Sequence, residues 1–213
     1  NWWITATIIT LALLVALGWW LMRHFRKDGS KDKDPPRRDP YEEAIEACRS
    51  LLRSEFDDNA SERGYLLKER AYFVIGDIYA RTERPEEARD TFAQALRIYP
   101  RGALRADLLF GAAVATFALG GNEEVIRLLE SFVEEFGTSP NLENAHYFLA
   151  YAHLQETDFA EAADWFGRLG SRWPHSEVAA EAWFQRGENL FNLGRFGDAA
   201  IAYRTVLDGY TSS

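Results

Sequence analysis

The stretch AYFVIGDIYARTERPEEARDTFAQALRIYP, residues 71–100, decides the fold. In it Tyr72, Ile75, Gly76 and Tyr79 stand three and four apart, and so do Ala88, Phe92 and Ala95. Each set makes one face of an α-helix, whose period is about 3.6 residues. Between the two faces stands Arg84-Pro85-Glu86-Glu87. Proline suits the first turn of a helix, where its missing N–H has no partner to lose, and acids there meet the positive end of the helix dipole. The stretch predicts two helices joined by a tight turn and packed face to face.

The same plan returns along the chain at a step of 37 residues. Small residues recur at Gly76, Ala113, Ala150 and Gly187, and small or branched ones at Ala88, Val125, Ala162 and Ala199. Large side chains recur at Phe92, Leu129, Phe166 and Tyr203. Aromatic rings recur without a miss at Phe73, Phe110, Tyr147 and Phe184, and again at Tyr99, Phe136, Trp173 and Tyr210. In the second unit, residues 108–119 and 123–136 read as helices around Gly120-Gly121-Asn122, and in the fourth, residues 178–193 and 196–210 around Gly194-Arg195. Small columns let two helix backbones approach, and large columns fill the holes beside them.

These residues resemble the tetratricopeptide repeat family. The first full unit carries its pattern as Tyr72, Ile75, Gly76, Tyr79, Ala88, Phe92, Ala95 and Pro100. The last carries it as Trp183, Gly187, Leu190, Gly194, Phe196, Ala199 and Tyr203. The third departs at His146 and His153, where the family has large apolar residues, and the second is the most degenerate, with Thr116, Asn122 and Val125. The resemblance implies an all-α fold, an α-solenoid of antiparallel helix pairs over residues 41–213. It places a half-repeat at about 41–56 and full repeats at about 65–100, 105–137, 142–174 and 179–211. Pro40-Tyr41-Glu42-Glu43-Ala44 echoes Pro85-Glu86-Glu87-Ala88, so residues 41–54 read as a second helix covering the first full repeat. No polar capping helix closes the last repeat before Ser213, so either the natural protein continues, which is the favoured expectation, or a partner covers the exposed end. The long unit and the pairs Tyr99-Pro100 and Trp173-Pro174 look like bacterial cell-envelope members of the family.

The resemblance further implies that the chain binds another polypeptide in the concave groove lined by its first helices. The groove columns are Phe73/Ala80, Phe110/Phe117, Tyr147/Leu154 and Phe184/Phe191. Asp77, Val114, Tyr151 and Glu188 lie between the members of each pair, and Arg70, Asp107, Asn144 and Glu181 one turn earlier. Family members that clamp a carboxylate use Lys, Arg and Asn there. Here only Arg70 and Asn144 are available against Asp77, Asp107, Glu181 and Glu188, so the expected partner segment is neutral to basic and anchored by apolar side chains. The other use for these rings is packing between neighbouring units.

Outward toward the N-terminus, residues 2–22 hold no charged side chain. About 20 apolar residues span the hydrocarbon core of a bilayer. Trp2 and Trp3 stand at one end and Trp19 and Trp20 at the other, followed by Arg23, which matches the interfacial preference of indole rings. A cleaved signal peptide would have a shorter apolar run ending in small residues. Residues 1–26 thus read as a single transmembrane helix, and the Pro-rich, charged residues 27–40 as a linker. The expected location is a bacterial inner membrane. The basic flank favours a cytoplasmic repeat domain, and the style of the repeats a periplasmic one.

Residues 1–40 hold seven basic and four acidic side chains, and the rest of the chain 17 and 29. An acidic body argues against nucleic-acid binding. The single cysteine, Cys48, excludes an internal disulfide and a Cys-based zinc site. His146 and His153 are seven apart, too far along a helix to share one ion, and read as polar tips at packed positions. No nucleophile stands with a base partner and no phosphate-binding loop is present. The expectation is a binding protein, not an enzyme, without cofactor, metal or small-molecule substrate. It is a membrane-anchored scaffold whose groove takes a protein partner, or else an accessory subunit of a larger bacterial membrane complex whose anchor packs on other spans.

Overall fold

The computed structural model describes residues 39–54 and 62–210. The expected anchor, with Trp2, Trp3, Trp19, Trp20 and Arg23, lies outside the described residues, as does the linker up to residue 38. Among the described residues every regular element is helical, and no helix is long and apolar enough to cross a membrane.

Proline marks two of the helix starts. Both α1 (Pro40–Arg53) and α3 (Pro85–Ile98) open on it, each with two glutamates in the first turn. At α1 the Asp39 carboxylate also accepts the Tyr41 N–H at 3.0 Å, satisfying one of the donors left free at a helix start. The other helices are α2 (Glu62–Arg81), α4 (Arg105–Ala118), α5 (Asn122–Glu135), α6 (Leu142–Gln155), α7 (Phe159–Arg172), α8 (Ala179–Asn192) and α9 (Phe196–Tyr210). Helix α4 begins three residues ahead of the apolar run at 108 that signals it, since Arg105, Ala106 and Asp107 add most of a turn without a large apolar side chain.

The 37-residue step is written into the turns. Residues Glu83, Gly120, Thr157 and Gly194 all adopt the left-handed conformation, with φ of 58°, 76°, 59° and 73°. After each, the N–H of Arg84, Gly121, Asp158 or Arg195 donates to the carbonyl of Tyr79, Thr116, His153 or Leu190, at 2.9–3.1 Å. This bond closes the first helix of every repeat and reverses the chain into the second. Glycine makes the reversal without steric cost at two of the turns. Glu83 and the β-branched Thr157 adopt it against their preference, held by the packed helices on either side.

Each helix packs against the next in chain order, and the first helices α2 and α4, and α4 and α6, also touch one another. That extra contact puts the first helices on the tighter wall of the array. The apolar faces join in two large clusters. One centres on Ile75, Tyr79, Phe92 and Leu108, closed at its outer side by Ile45 of α1. The other centres on Leu129, Phe132, Leu149 and Phe166. Arg84 fastens α1 further, bonding Glu42 at 2.7 Å and Glu87 at 2.9 Å, with its guanidinium 4.3 Å from the centre of the Tyr79 ring. These ion pairs are exposed, so they orient α1 more than they stabilise it.

Candidate binding groove

The first helices α2, α4, α6 and α8 carry the predicted groove residues. Heptad-spaced side chains share a helix face, so Phe110/Phe117, Tyr147/Leu154 and Phe184/Phe191 each form a stripe. Exposure along the wall is graded. Phe73, Phe110, Phe117, Tyr147, Tyr151, Leu154 and Val114 are half-buried, while Phe184 and Phe191 are 47% and 55% exposed.

Ring contacts explain the gradient. Phe73 leans on Phe92 of its own repeat with centroids 6.2 Å apart. Phe110 meets Phe132 at 5.9 Å and Phe148 of the next repeat at 6.1 Å, and Phe117 meets Phe148 edge-on at 5.2 Å. Tyr147 and Tyr151 are 4.6 Å apart, and Tyr151 stands edge-on to Phe166 at 5.1 Å. The rings of the second and third repeats therefore act partly as mortar between units. Phe148 is the wedge among them, and it was missed at the sequence level. Its column reads Val74, Gly111, Phe148 and Gln185, so no periodic signal marks it. In the last repeat Phe184 rests on Tyr203 at 5.6 Å and Phe191 on Phe196 at 5.2 Å, each leaving about half its surface to water.

The groove acids are engaged by neighbours. Arg81 donates to Asp77 at 2.7 Å, Asn141 to Asp107 at 3.3 Å, Tyr151 to Glu181 at 2.6 Å and Tyr203 to Glu188 at 2.5 Å. Only the first of these neutralises a charge. Burial, reinforced by the Glu181 carboxylate, pushes the Tyr151 phenol well above its ordinary value. Burial and Glu188 push Tyr203 up to about 12. Both phenols stay protonated, neutral donors, so neither brings a positive charge to the carboxylate it bonds.

His146 and His153 belong to the core. His146 is buried, with its Nδ1 2.9 Å from the Leu142 carbonyl and its ring edge-on to Trp165 and Trp173, centroids 5.1 and 5.0 Å away. His153 is buried with Nδ1 3.5 Å from the Asp158 carboxylate. Among the described residues no group of three or more His, Cys, Asp or Glu gathers as metal ligands do. Burial, with Arg172 and Arg168 nearby, lowers the His146 pKa below its ordinary 6.5, against the opposing pull of the Leu142 carbonyl. The folded state then holds the neutral ring while the unfolded chain takes up a proton. Stability contributed at this site is complete above pH 6.5 and declines as pH falls through the interval below it. Thermal melts at stepped pH should show this decline, and it should shrink in His146→Phe.

One buried acid serves the connectors. Glu69 is 0% exposed, and its Oε1 accepts the Leu104 N–H at 2.9 Å just ahead of α4. A Cβ on Gly102 would come within 1.9 Å of that oxygen, so any larger residue there would displace the Glu69 carboxylate. Two repeats on, Glu143 accepts the Ser176 hydroxyl in the corresponding connector. The alternate repeats carry Ala106 and Ala180 in this column, which hid it from the sequence comparison.

Residues 69–101 and 180–208 each match the tetratricopeptide repeat. No curated protein matches the chain. Among solved structures, a crystal structure of MamA is 15% identical, with 79% of this chain and 88% of that one covered and a TM-score of 0.63. MamA from residue 41 to its end, from Desulfovibrio magneticus RS-1, is 15% identical over 83% and 90% of the two chains, with a TM-score of 0.63. Nearly identical TPR-like repeats from Podosopora anserina are 15% identical over 79% and 85%, with a TM-score of 0.59. At these identities the likeness is one of fold. The described residues form a solenoid of the tetratricopeptide repeat kind.

Proposed function

We propose that this chain is a membrane-anchored scaffold that holds a neutral-to-basic segment of another protein in its groove. The observation that carries the reading is the pair Phe184 and Phe191, seven residues apart on one face of α8 and each about half exposed. Two half-exposed rings two turns apart on the wall lined by first helices are suited to an apolar anchor. Glu181 and Glu188 beside them favour a partner with basic flanks over one with an acidic terminus. The uncharged residues 2–22, with tryptophan pairs at both ends, support anchoring by one helix in a bacterial inner membrane. The partner reading places function in binding rather than in chemistry.

A photo-cross-linking amino acid placed at position 184 or 191 of the full chain, in its own cells, is expected to give a discrete protein adduct. The adduct should stay in the membrane fraction after alkaline carbonate washing. Covering the exposed half of each ring is worth about 1 kcal/mol, so Phe184→Ala/Phe191→Ala should weaken partner binding roughly thirtyfold. An adduct formed equally well from position 168 on a second helix, or partner binding unaffected by the double substitution, would sink the groove reading.

A further inference from the structure

On the second helices, the column Asp90, Arg127, Asp164 and Ile201 is exposed in every repeat. The first three members are charged, as a solvent face requires. Ile201 is 64% exposed at the same register. A further repeat stacked on α9 as α8 stacks on α7 would leave this column in water, as it does Asp164. Something else must account for an isoleucine there.

Its helical neighbours indicate what. Asp198, whose Oδ2 accepts from Arg195 of its own chain at 2.8 Å and which is still half-exposed, lies three residues before Ile201, and Arg204 lies three residues after, also exposed. When two copies of such a helix cross antiparallel at residue 201, position +3 of one meets position −3 of the other. Arg204 then faces the second copy's Asp198 on both sides of a central isoleucine contact. The corresponding triplets elsewhere are Glu87-Asp90-Ala93, Glu124-Arg127-Glu130 and Glu161-Asp164-Gly167, and none is self-complementary in this way. Close approach is also provided for. A Cβ at Gly197 would meet open space beyond its own helix backbone, and Ala200 is exposed. Small side chains beside a central apolar one let two helices come into contact.

We propose that the α9 face Asp198-Ile201-Arg204 is an isologous contact with a second copy of this chain. A two-fold pairing makes each interaction twice, so one apolar contact is flanked by two ion pairs of fixed register. Because α9 is a second helix, the contact leaves the groove on the first helices open, and a dimer carries two grooves. The proposal stands whether or not the groove reading does.

The test uses the full chain in detergent with Cys48→Ser to remove the native thiol. Ile201→Cys is expected to form a disulfide-linked dimer on mild oxidation, and Asp164→Cys, at the same register one repeat earlier, is not. Adding Arg204→Asp should slow cross-linking at position 201 by about tenfold or more, since it sets like charges against one another. Adding Asp198→Arg as well should restore it, because the pair is then exchanged across the two-fold. Circular dichroism confirms that each variant is folded. A monomer with a freely reactive thiol at position 201 overturns the proposal. So does a thiol protected without forming a dimer, or cross-linking indifferent to the charge reversal and its exchange.

Discussion

Phe166→Ala is expected to lower the stability of the repeat domain by about 3–5 kcal/mol, the range for deleting a fully buried ring. Phe166 is 0% exposed at the centre of the larger apolar cluster, beside Ala150, Leu149 and Tyr151. The loss has two parts, the transfer of the ring's surface and the cavity left where α6 and α7 cannot collapse. For a domain of this size it corresponds to a melting temperature lower by roughly 6–20 °C. A solenoid's stability is a sum of repeats and their neighbour contacts, so a hole in the third repeat also uncouples the ends. Hydrogen exchange should then show α8 and α9 opening independently of α2 and α3. Ile98→Ala, at a side chain 45% exposed, should move the melting point little. A single cooperative transition with an unchanged midpoint for Phe166→Ala would contradict the packing described above.

Gly76→Val is the second large effect, and it acts by overfilling. A Cβ at position 76 would stand 2.5 Å from Cε1 of Phe92, and one at Gly111 would stand 2.8 Å from its Cζ. The Phe92 ring is thus held between the backbones of α2 and α4, with no free space on either side. Overpacking of this kind costs about 1–3 kcal/mol. Phe92→Leu alone should also destabilise, by leaving space. Combined, the two changes should cost less than their sum, with a coupling of about 1 kcal/mol or more in a double-mutant cycle followed by denaturant unfolding. Additive effects would mean that the ring and the glycine do not share one space.

The repeat plan was legible because every unit solves the same packing problem. Columns such as Gly76, Ala113, Ala150 and Gly187 repeat since a small residue on the first helix leaves room for a large side chain of the second, as Gly76 does for Phe92 and Gly187 for Tyr203, and all four are buried. The turns were half legible. Gly120 and Gly194 announce the left-handed conformation, but Glu83 and Thr157 adopt the same one without any residue-level sign. The groove was legible as a set of positions and not as a surface. Phe110 and Phe184 occupy the same column, yet Phe110 lies between Phe132 and Phe148 while Phe184 meets only Tyr203 among the described rings, so their exposure differs.

By itself the sequence determined the period, the helix pairs, the residues facing each helix's partner and the face that carries the aromatic stripe. These follow from local spacing, because helical geometry converts three- and four-residue intervals into faces whatever surrounds them. Tertiary structure alone decided which rings of that stripe are mortar and which meet water, that Glu69 is enclosed, and that Ile201 stands exposed between Asp198 and Arg204. Those outcomes depend on how much surface a neighbouring repeat covers. That is set by side chains roughly one repeat away, which no local interval records.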